Sequence, residues 1–349
     1  MRATVIHGPR DIRLEQVPDP SIRRPTDAIV RVVASCVCGS DLWPYRGIQQ
    51  VRQPHPMGHE FVGIVEQTGP DVTTLTAGDF VITPWAISDN TCVNCRNGIQ
   101  TSCLHGDAYG YPDSDGVIVD GGQSEYVRVP LADGTLVATA EQPDEQLIPH
   151  LLALSDVMAT GHHAAVSARV RAGSTVVVVG DGAVGLSAVL AAKRLGGERI
   201  VAMSRHADRQ QLAREFGATD IVAERGEEGI AKVRELFDGI GADCVLEAVG
   251  TKQSMEQALA TARPGGFVGY VGVPSGGPEL PIGPMYSNNI NVAGGAAPVR
   301  AYLPELLVDV LDGTIEPGRV FDRELPLERV AEAYAGMDER RSIKTLLRP

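Results

Sequence analysis

Residues 175–195, TVVVVGDGAVGLSAVLAAKRL, constrain this chain more than any other stretch. Val176 to Val179 form an apolar run with no polar alternation, the pattern of a central strand covered on both faces in a parallel sheet. The run stops at Gly180-Asp181-Gly182-Ala183-Val184-Gly185, and an Ala- and Leu-rich segment of helical period begins at once. The glycines therefore occupy a strand-to-helix turn, the context a GxGxxG pattern requires. Gly180 permits the tight turn, Gly182 has no side chain to hold a pyrophosphate off the backbone, and Gly185 lets the helix pack close to the strand. The first helical N–H groups, around Ala183 and Val184, face a phosphate. A dinucleotide is the ligand this stretch predicts.

The rest of the chain is organised on either side of it. Before about residue 155 the sequence is β-rich, with short apolar runs at Ala28–Val33, Phe61–Val65 and Phe80–Thr83 separated by Gly, Pro and Asp, which predicts a loop-rich antiparallel domain. From Leu151 the texture changes to alternating helix and strand, with a helix over 156–168 and strands at 176–179, 200–204, 221–222, 244–248 and 267–271. That alternation predicts a doubly wound parallel sheet in an α/β fold. A helix over 301–311 follows, and the ending SIKTLLRP is expected to rejoin the first domain. Residues 274–284, rich in Gly and Pro, read as a connecting loop at a surface or a subunit contact.

Charge and cysteine usage narrow the function classes. The formal net charge of −13, from 31 basic and 44 acidic residues, repels nucleic acid and anionic membranes and leaves a small molecule as the expected partner. The amino-terminal MRATVIHGPRDIRL lacks the apolar core of a secretory signal. The six cysteines, unevenly spaced in 349 residues, suit metal ligands in a reducing compartment better than a disulfide framework, so a cytoplasmic location is expected. Cys38-Gly39-Ser40-Asp41 and Gly58-His59-Glu60 each sit beside a predicted strand, and Asp156 interrupts the apolar ALSDVM segment. Taken singly, these residues also suit a buried thiol or a helix cap. With a nucleotide fold beside them, one thiol, one imidazole and one carboxylate make the three protein ligands of an open catalytic zinc site.

Through CGSD at 38–41, GHE at 58–60, the cysteines at 92–103, LSDVMATG at 154–161, GDGAVG at 180–185 and the terminal RSIK, the chain resembles the zinc-dependent medium-chain alcohol dehydrogenases over nearly its full length. The resemblance implies a GroES-like catalytic domain over residues 1–157, completed by 298–349, and a Rossmann domain over 158–297. It also implies Cys38, His59 and Asp156 as catalytic zinc ligands, Glu60 as a carboxylate able to approach the metal, and Asp41 as the partner that orients the histidine. By the same likeness Thr160 lies beside the nicotinamide, Lys344 meets the pyrophosphate, and Ser40 passes the hydroxyl proton. Trp85 is placed in the substrate pocket, although it also reads as a core aromatic. The expected reaction moves a hydride between a nicotinamide cofactor and an alcohol, aldehyde or ketone, in a homodimer or homotetramer. A nucleotide-binding protein without catalysis, or a zinc-free quinone or enone reductase, would have no need of the ligand set that is present.

Three details depart from the family pattern. The structural zinc of the family uses four cysteines, whereas Cys92, Cys95 and Cys103 leave the fourth place to Asp89, with Cys36 and His105 as the other possibilities. Cys244, in an apolar strand, reads as a small buried hydrophobe. The end of the strand at 200–203 carries Ser204 and Arg205 with no carboxylate, which predicts NADP(H) over NAD(H). Trp43 stands where relatives carry a relay histidine, so the proton leaves from Ser40 through the ribose to water, or through a substitute group such as His55.

Overall fold

The computed structural model describes residues 1–274 and 280–349, and the chain divides into two compact units, Met1–Asp156 with Pro298–Pro349, and Val157–Ala297. The first unit contains a sheet in which the long strand Ala28–Cys36 is central. It pairs antiparallel with Phe61–Thr68, Tyr126–Val129 and Lys344–Arg348, and Phe61–Thr68 pairs in turn with Phe80–Thr83. Small and β-branched residues alternate inward along these strands, and Val30, Val32, Phe61, Val65, Val81, Val127 and Val129 close one core. A smaller sheet joins Arg2–Gly8, Asp11–Gln16 and His55–Pro56. The carboxyl-terminal strand Lys344–Arg348 completes the main sheet by pairing with Cys36 and Ser35 on one side and, in parallel, with Phe321–Pro326 on the other.

The second unit is a six-stranded sheet in which every pair is parallel. Its spatial order is 220–222, 199–203, 175–179, 242–247, 262–270, 291–294, so Thr175–Val179 lies inside with neighbours on both edges. This is the strand order of a doubly wound nucleotide-binding sheet, with the switch of direction beside the strand that runs into the glycines. Val177 and Val179 pack with Val233, Met255 and Ala258 in one core, while Val176 and Val178 on the other face are equally inaccessible. Each such valine contributes roughly 1.5–3 kcal/mol by leaving water. Val177→Asp would bury an uncompensated carboxylate at the centre of the unit and disrupt it.

The helix Val157–Ser167 packs on Ala183–Arg194 so closely that a Cβ on Gly161 would lie 2.5 Å from the Ala188 nitrogen. Residues 275–279 of the expected Gly- and Pro-rich loop lie outside the described residues. The remainder differs from expectation, because Ile282–Asn288 forms a helix that ends at Asn289 in the left-handed conformation. Pro284 sits within the first turn of that helix, where its missing N–H has no intrahelical partner to lose. Among the described residues no helix is long and apolar enough to cross a membrane.

Candidate metal centres and nucleotide loop

Four donors from distant parts of the first unit converge: Cys38, His59, Glu60 and Asp156 each place a ligand atom within 4.8 Å of the others. Cys38 follows the strand Ala28–Cys36, and His59 and Glu60 immediately precede its antiparallel neighbour Phe61–Thr68, so strand pairing sets thiol and imidazole side by side. Asp156 comes from the end of the segment after helix Ile148–Leu154. Its Oδ2 lies 3.8 Å from Cys38 Sγ and 3.7 Å from His59 Nε2.

Asp41 stands behind this group. Its Oδ2 accepts the Cys38 N–H at 2.9 Å and the Gln123 amide at 3.1 Å, while Oδ1 faces His59 Nδ1 at 3.5 Å. With Nδ1 turned to Asp41, Nε2 is the imidazole atom left for the donor cluster. Gln123 is in turn fixed by the buried Tyr334 hydroxyl, which donates to its Oε1 at 3.0 Å. Sequence reasoning found Asp41 but missed Gln123 and Tyr334, whose separation of 211 residues left no local signal.

Electrostatically the cluster brings ionisable groups together in a buried setting. Burial, followed by the charge of Glu60, raises the Cys38 thiol above its ordinary pKa. Burial also raises Glu60, against the pull of Lys344. For His59, burial opposes protonation, but Asp41 and Cys38 outweigh it and the imidazole is held well above its usual value. A dication among these donors reverses each of these tendencies. One thiolate, one imidazole and oxygen donors, with the imidazole braced from behind, form a set that fits zinc.

Lys344, expected beside a pyrophosphate, is a buried cation within the first unit. It is 1% exposed, and its ammonium donates to Glu60 Oε1 at 2.8 Å and to the Val37 carbonyl at 3.2 Å. The physical reason is Glu60, a fully buried carboxylate that would otherwise lack a counter-charge. Cys36, considered above as a structural ligand, belongs to the same group, with its thiol donating to Glu60 Oε2 at 3.3 Å. Ser40 and Trp43 are half-buried just past Cys38, and Trp43 opens the short helix Leu42–Tyr45 as its second residue. Trp85 is half-buried too, with its backbone N–H on the Ser155 carbonyl at 3.1 Å, beside Asp156. His55 lies in a short edge strand, held by the Gln53 carbonyl at 3.1 Å and packed against the Tyr111 ring.

A second four-donor group lies in one loop. Asp89, Cys92, Cys95 and Cys103 also bring their ligand atoms within 4.8 Å, with Cys92 Sγ at 3.5 Å from Cys95 Sγ and 3.9 Å from Cys103 Sγ. The backbone N–H groups of Leu104 and Cys95 lower Cys92 to about 7, which makes its thiol easier to ionise than an ordinary cysteine. Asp89 Oδ1 accepts the N–H groups of Thr91 and Cys92 at 2.8 and 3.0 Å, and Oδ2 meets His105 Nδ1 at 2.6 Å. His105 therefore braces Asp89 from outside and is not a fourth member of the cluster. Three thiols and a carboxylate again fit a zinc ion, here with no position opened by a missing ligand. All six cysteines are free thiols, and Cys244 is buried in the strand Ala242–Glu247.

In the second unit, Gly180 adopts φ +123°, and a Cβ on Gly185 would lie 2.1 Å from the Gly180 carbonyl oxygen, so neither position accepts a side chain. Gly182, the N-cap of helix Ala183–Arg194, faces open space with nothing within 4 Å of where its Cβ would be. That opening, together with uncapped helix N–H groups, is what a phosphate needs. Thr160 lies in the first turns of helix Val157–Ser167 of the same unit.

The end of strand Arg199–Met203 differs from the sequence expectation. A carboxylate does stand there, delivered by Asp181 of the neighbouring loop: its Oδ2 accepts the Ser204 hydroxyl at 3.0 Å and the Arg205 N–H at 3.3 Å. Arg209 approaches Oδ1 at 3.4 Å and the Asp181 carbonyl at 3.2 Å. Ser204 is thus buried and committed, whereas the Arg205 side chain is exposed. The adjacent parallel registry of Val179 with Met203 brings the two loops together, and an offset of about 20 residues from the glycines does not reveal it.

Residues 24–140 match the family described as alcohol dehydrogenase GroES-like domain, and residues 183–312 the family described as zinc-binding dehydrogenase. The chain is 33% identical to zinc-type alcohol dehydrogenase B of Aspergillus flavus over 96% of its own length and 78% of that protein. Among solved structures it is similar to the alcohol dehydrogenase TADH from Thermus sp. ATN1, at 33% identity and TM-score 0.91, covering 100% of this chain and 99% of that one. A zinc-dependent alcohol dehydrogenase 2 from Streptococcus pneumonia superposes with TM-score 0.89 at 29% identity, covering 100% of this chain and 98% of that one.

Proposed function

Since this chain belongs to the zinc-dependent medium-chain alcohol dehydrogenase family, we propose that it oxidises an alcohol, or reduces an aldehyde or ketone, with NADP(H) favoured over NAD(H) and with Cys38, His59 and Asp156 holding a catalytic zinc. The observation that carries this reading is the convergence of those three donors, braced by Asp41, in a chain whose other unit presents the glycine loop. A zinc ion there supplies Lewis acidity toward a substrate oxygen, and the nicotinamide exchanges a hydride with the substrate carbon.

The chain's own residues do the rest. Cys38, His59 and Asp156 bind the metal, and Asp41 fixes the ring of His59 so that Nε2 is presented to it. Glu60, neutralised by Lys344, adds a fourth donor, its carboxylate oxygen, within reach of the group. Ser40, two residues beyond Cys38, would take the proton of the substrate hydroxyl and, with a cofactor bound, hand it on by way of the ribose to water. His55, held by Gln53 and Tyr111, is not needed for that route. Trp85 and Trp43 supply apolar walls that favour a hydrophobic substrate. Asp89, Cys92, Cys95 and Cys103 hold a structural zinc, which ties one loop of the first unit.

The cofactor preference is supported by the exposed guanidinium of Arg205 and by two arginines against one carboxylate around Asp181. A homodimer or homotetramer is supported by the outer strand Asn291–Gly294, at the end of the described sheet order, and by the exposed Ile282 and Tyr286 on the helix before it. Light scattering on the purified protein checks the assembly. Turnover of a panel of alcohols and aldehydes, followed by nicotinamide absorbance with each cofactor, tests the activity. Arg205→Ala should lower kcat/KM with NADP by about tenfold or more while leaving NAD little changed, and a strong NAD preference of the unaltered enzyme would remove the NADP(H) assignment.

A further inference from the structure

Beyond its charge against the neighbouring arginines, the Asp181 carboxylate of the nucleotide loop is also a hydrogen-bond acceptor. It is buried to a tenth of its side-chain exposure, and it reaches across from the turn after Thr175–Val179 to the turn after Arg199–Met203. A doubly wound sheet binds its ligand in the crevice outside these carboxyl ends, and an acidic residue at the end of the second strand accepts the adenosine ribose hydroxyls in NAD-selective folds. Here Ser204 occupies that end, and the acid comes from the neighbouring loop to the same spot. A carboxylate offers about four lone-pair positions, and the Ser204 hydroxyl, the Arg205 N–H and Arg209 take three of them. One acceptor position is left on a group that still has an exposed edge.

We propose that Asp181 is a specificity-determining residue for the adenosine 2′ position, accepting a hydrogen bond from a 2′-hydroxyl and weakening the hold of Arg205 and Arg209 on a 2′-phosphate. The charges around the spot are Arg205 and Arg209, both positive, and Asp181, negative. A 2′-phosphate gains two guanidinium partners and meets one like charge. A 2′-hydroxyl has no use for the guanidinium groups but finds a carboxylate acceptor. Both cofactors therefore bind, and Asp181 narrows the margin by which the phosphorylated one wins. The inference rests on reading residues 180–185 as the dinucleotide site but does not depend on which cofactor is preferred.

Calorimetric titration of the full-length protein with adenosine 2′,5′-bisphosphate and with adenosine 5′-monophosphate reads the 2′ position directly, without turnover. Asp181→Asn keeps the shape and the acceptor oxygen but removes the charge. It should raise the affinity ratio of bisphosphate over monophosphate about tenfold, as expected for removing one partly screened like charge. Asp181→Glu, which keeps the charge, should leave the ratio near that of the unaltered protein even where it costs some stability, an order of severity opposite to that of a purely structural role. If both nucleotides bind and the ratio is the same with Asn, Glu and Asp at 181, the proposal is overturned and the dinucleotide reading stands. Failure of either nucleotide to bind any variant overturns both. A preference of the unaltered protein for the monophosphate removes the NADP(H) reading alone, provided that the ratio still rises in Asp181→Asn.

Discussion

The first unit carries two four-donor groups of nearly equal spread, and they are assembled in opposite ways. Asp89, Cys92, Cys95 and Cys103 span one loop of the chain, and two of their braces are backbone N–H groups two and three residues past Asp89. Cys38, His59, Glu60 and Asp156 come from three separate segments, and of their braces only Asp41 is local, beside Cys38, while Gln123, Tyr334 and Lys344 come from elsewhere again. The loop group therefore holds its own neighbourhood together, while the other is positioned by the sheet and by partners brought from far along the chain. A preorganised site spends little on reorganising its ligands and can keep a position for substrate, whereas a loop closed by four protein ligands serves stability.

The contrast breaks most readily at Cys38. Cys38→Ser should lower turnover on the order of 10³-fold or more, because several kcal/mol of Lewis-acid stabilisation go with the metal, while titration with adenosine nucleotides is unchanged. Full activity in a zinc-free preparation, checked by elemental analysis, would sink the assignment of chemistry to this group. Next in size is Ser40→Ala, which should cost on the order of 10²-fold in kcat with zinc content unaltered, the size of a positioned proton acceptor. An unchanged pH–rate profile and kcat would return the proton step to solvent alone.

Asp41→Asn tests the bracing and not the ligands. It should weaken zinc binding about 10–100-fold in competition with a chromogenic chelator, as outer partners of a ligand histidine generally do. Equal zinc retention in variant and parent would mean that His59 is oriented by packing. The smallest effect on chemistry belongs to the loop group. Asp89→Ala should remove one class of bound zinc and lower the melting temperature by a few degrees, with kcat changed less than about threefold. A large loss of kcat at a temperature where the variant is fully folded would erase the distinction between the two groups.

How legible each group was follows from the same geometry. The loop group was readable because its donors sit within a span where spacing fixes proximity; of Asp89, Cys36 and His105, Asp89 lies among the three thiols, while His105 faces Asp89 from outside and Cys36 faces Glu60. The donors of the other group could be nominated from the residues alone only as types beside strands, and were joined by resemblance to a family, because nothing in residues 38, 59 and 156 states that two strands pair and that Asp156 arrives beside them. The pairing of Lys344 with Glu60, 284 residues apart, is likewise a product of the fold that no local pattern announces.

By itself the sequence determined five of the six strands of the second unit's sheet, all but Asn291–Gly294, and the glycine turn after the first of them. Four adjacent valines admit a buried strand, and the spacing of Gly180, Gly182 and Gly185 is a local steric code that survives any change of surroundings. Tertiary structure alone decided what faces the second strand's end. Asp181 and Ser204 are 23 residues apart and belong to separate loops, and only the parallel registry of Val179 with Met203 sets carboxylate against hydroxyl. Backbone conformation is written in a few neighbouring residues, whereas the partner of a charge is chosen by whichever segment the sheet brings alongside it.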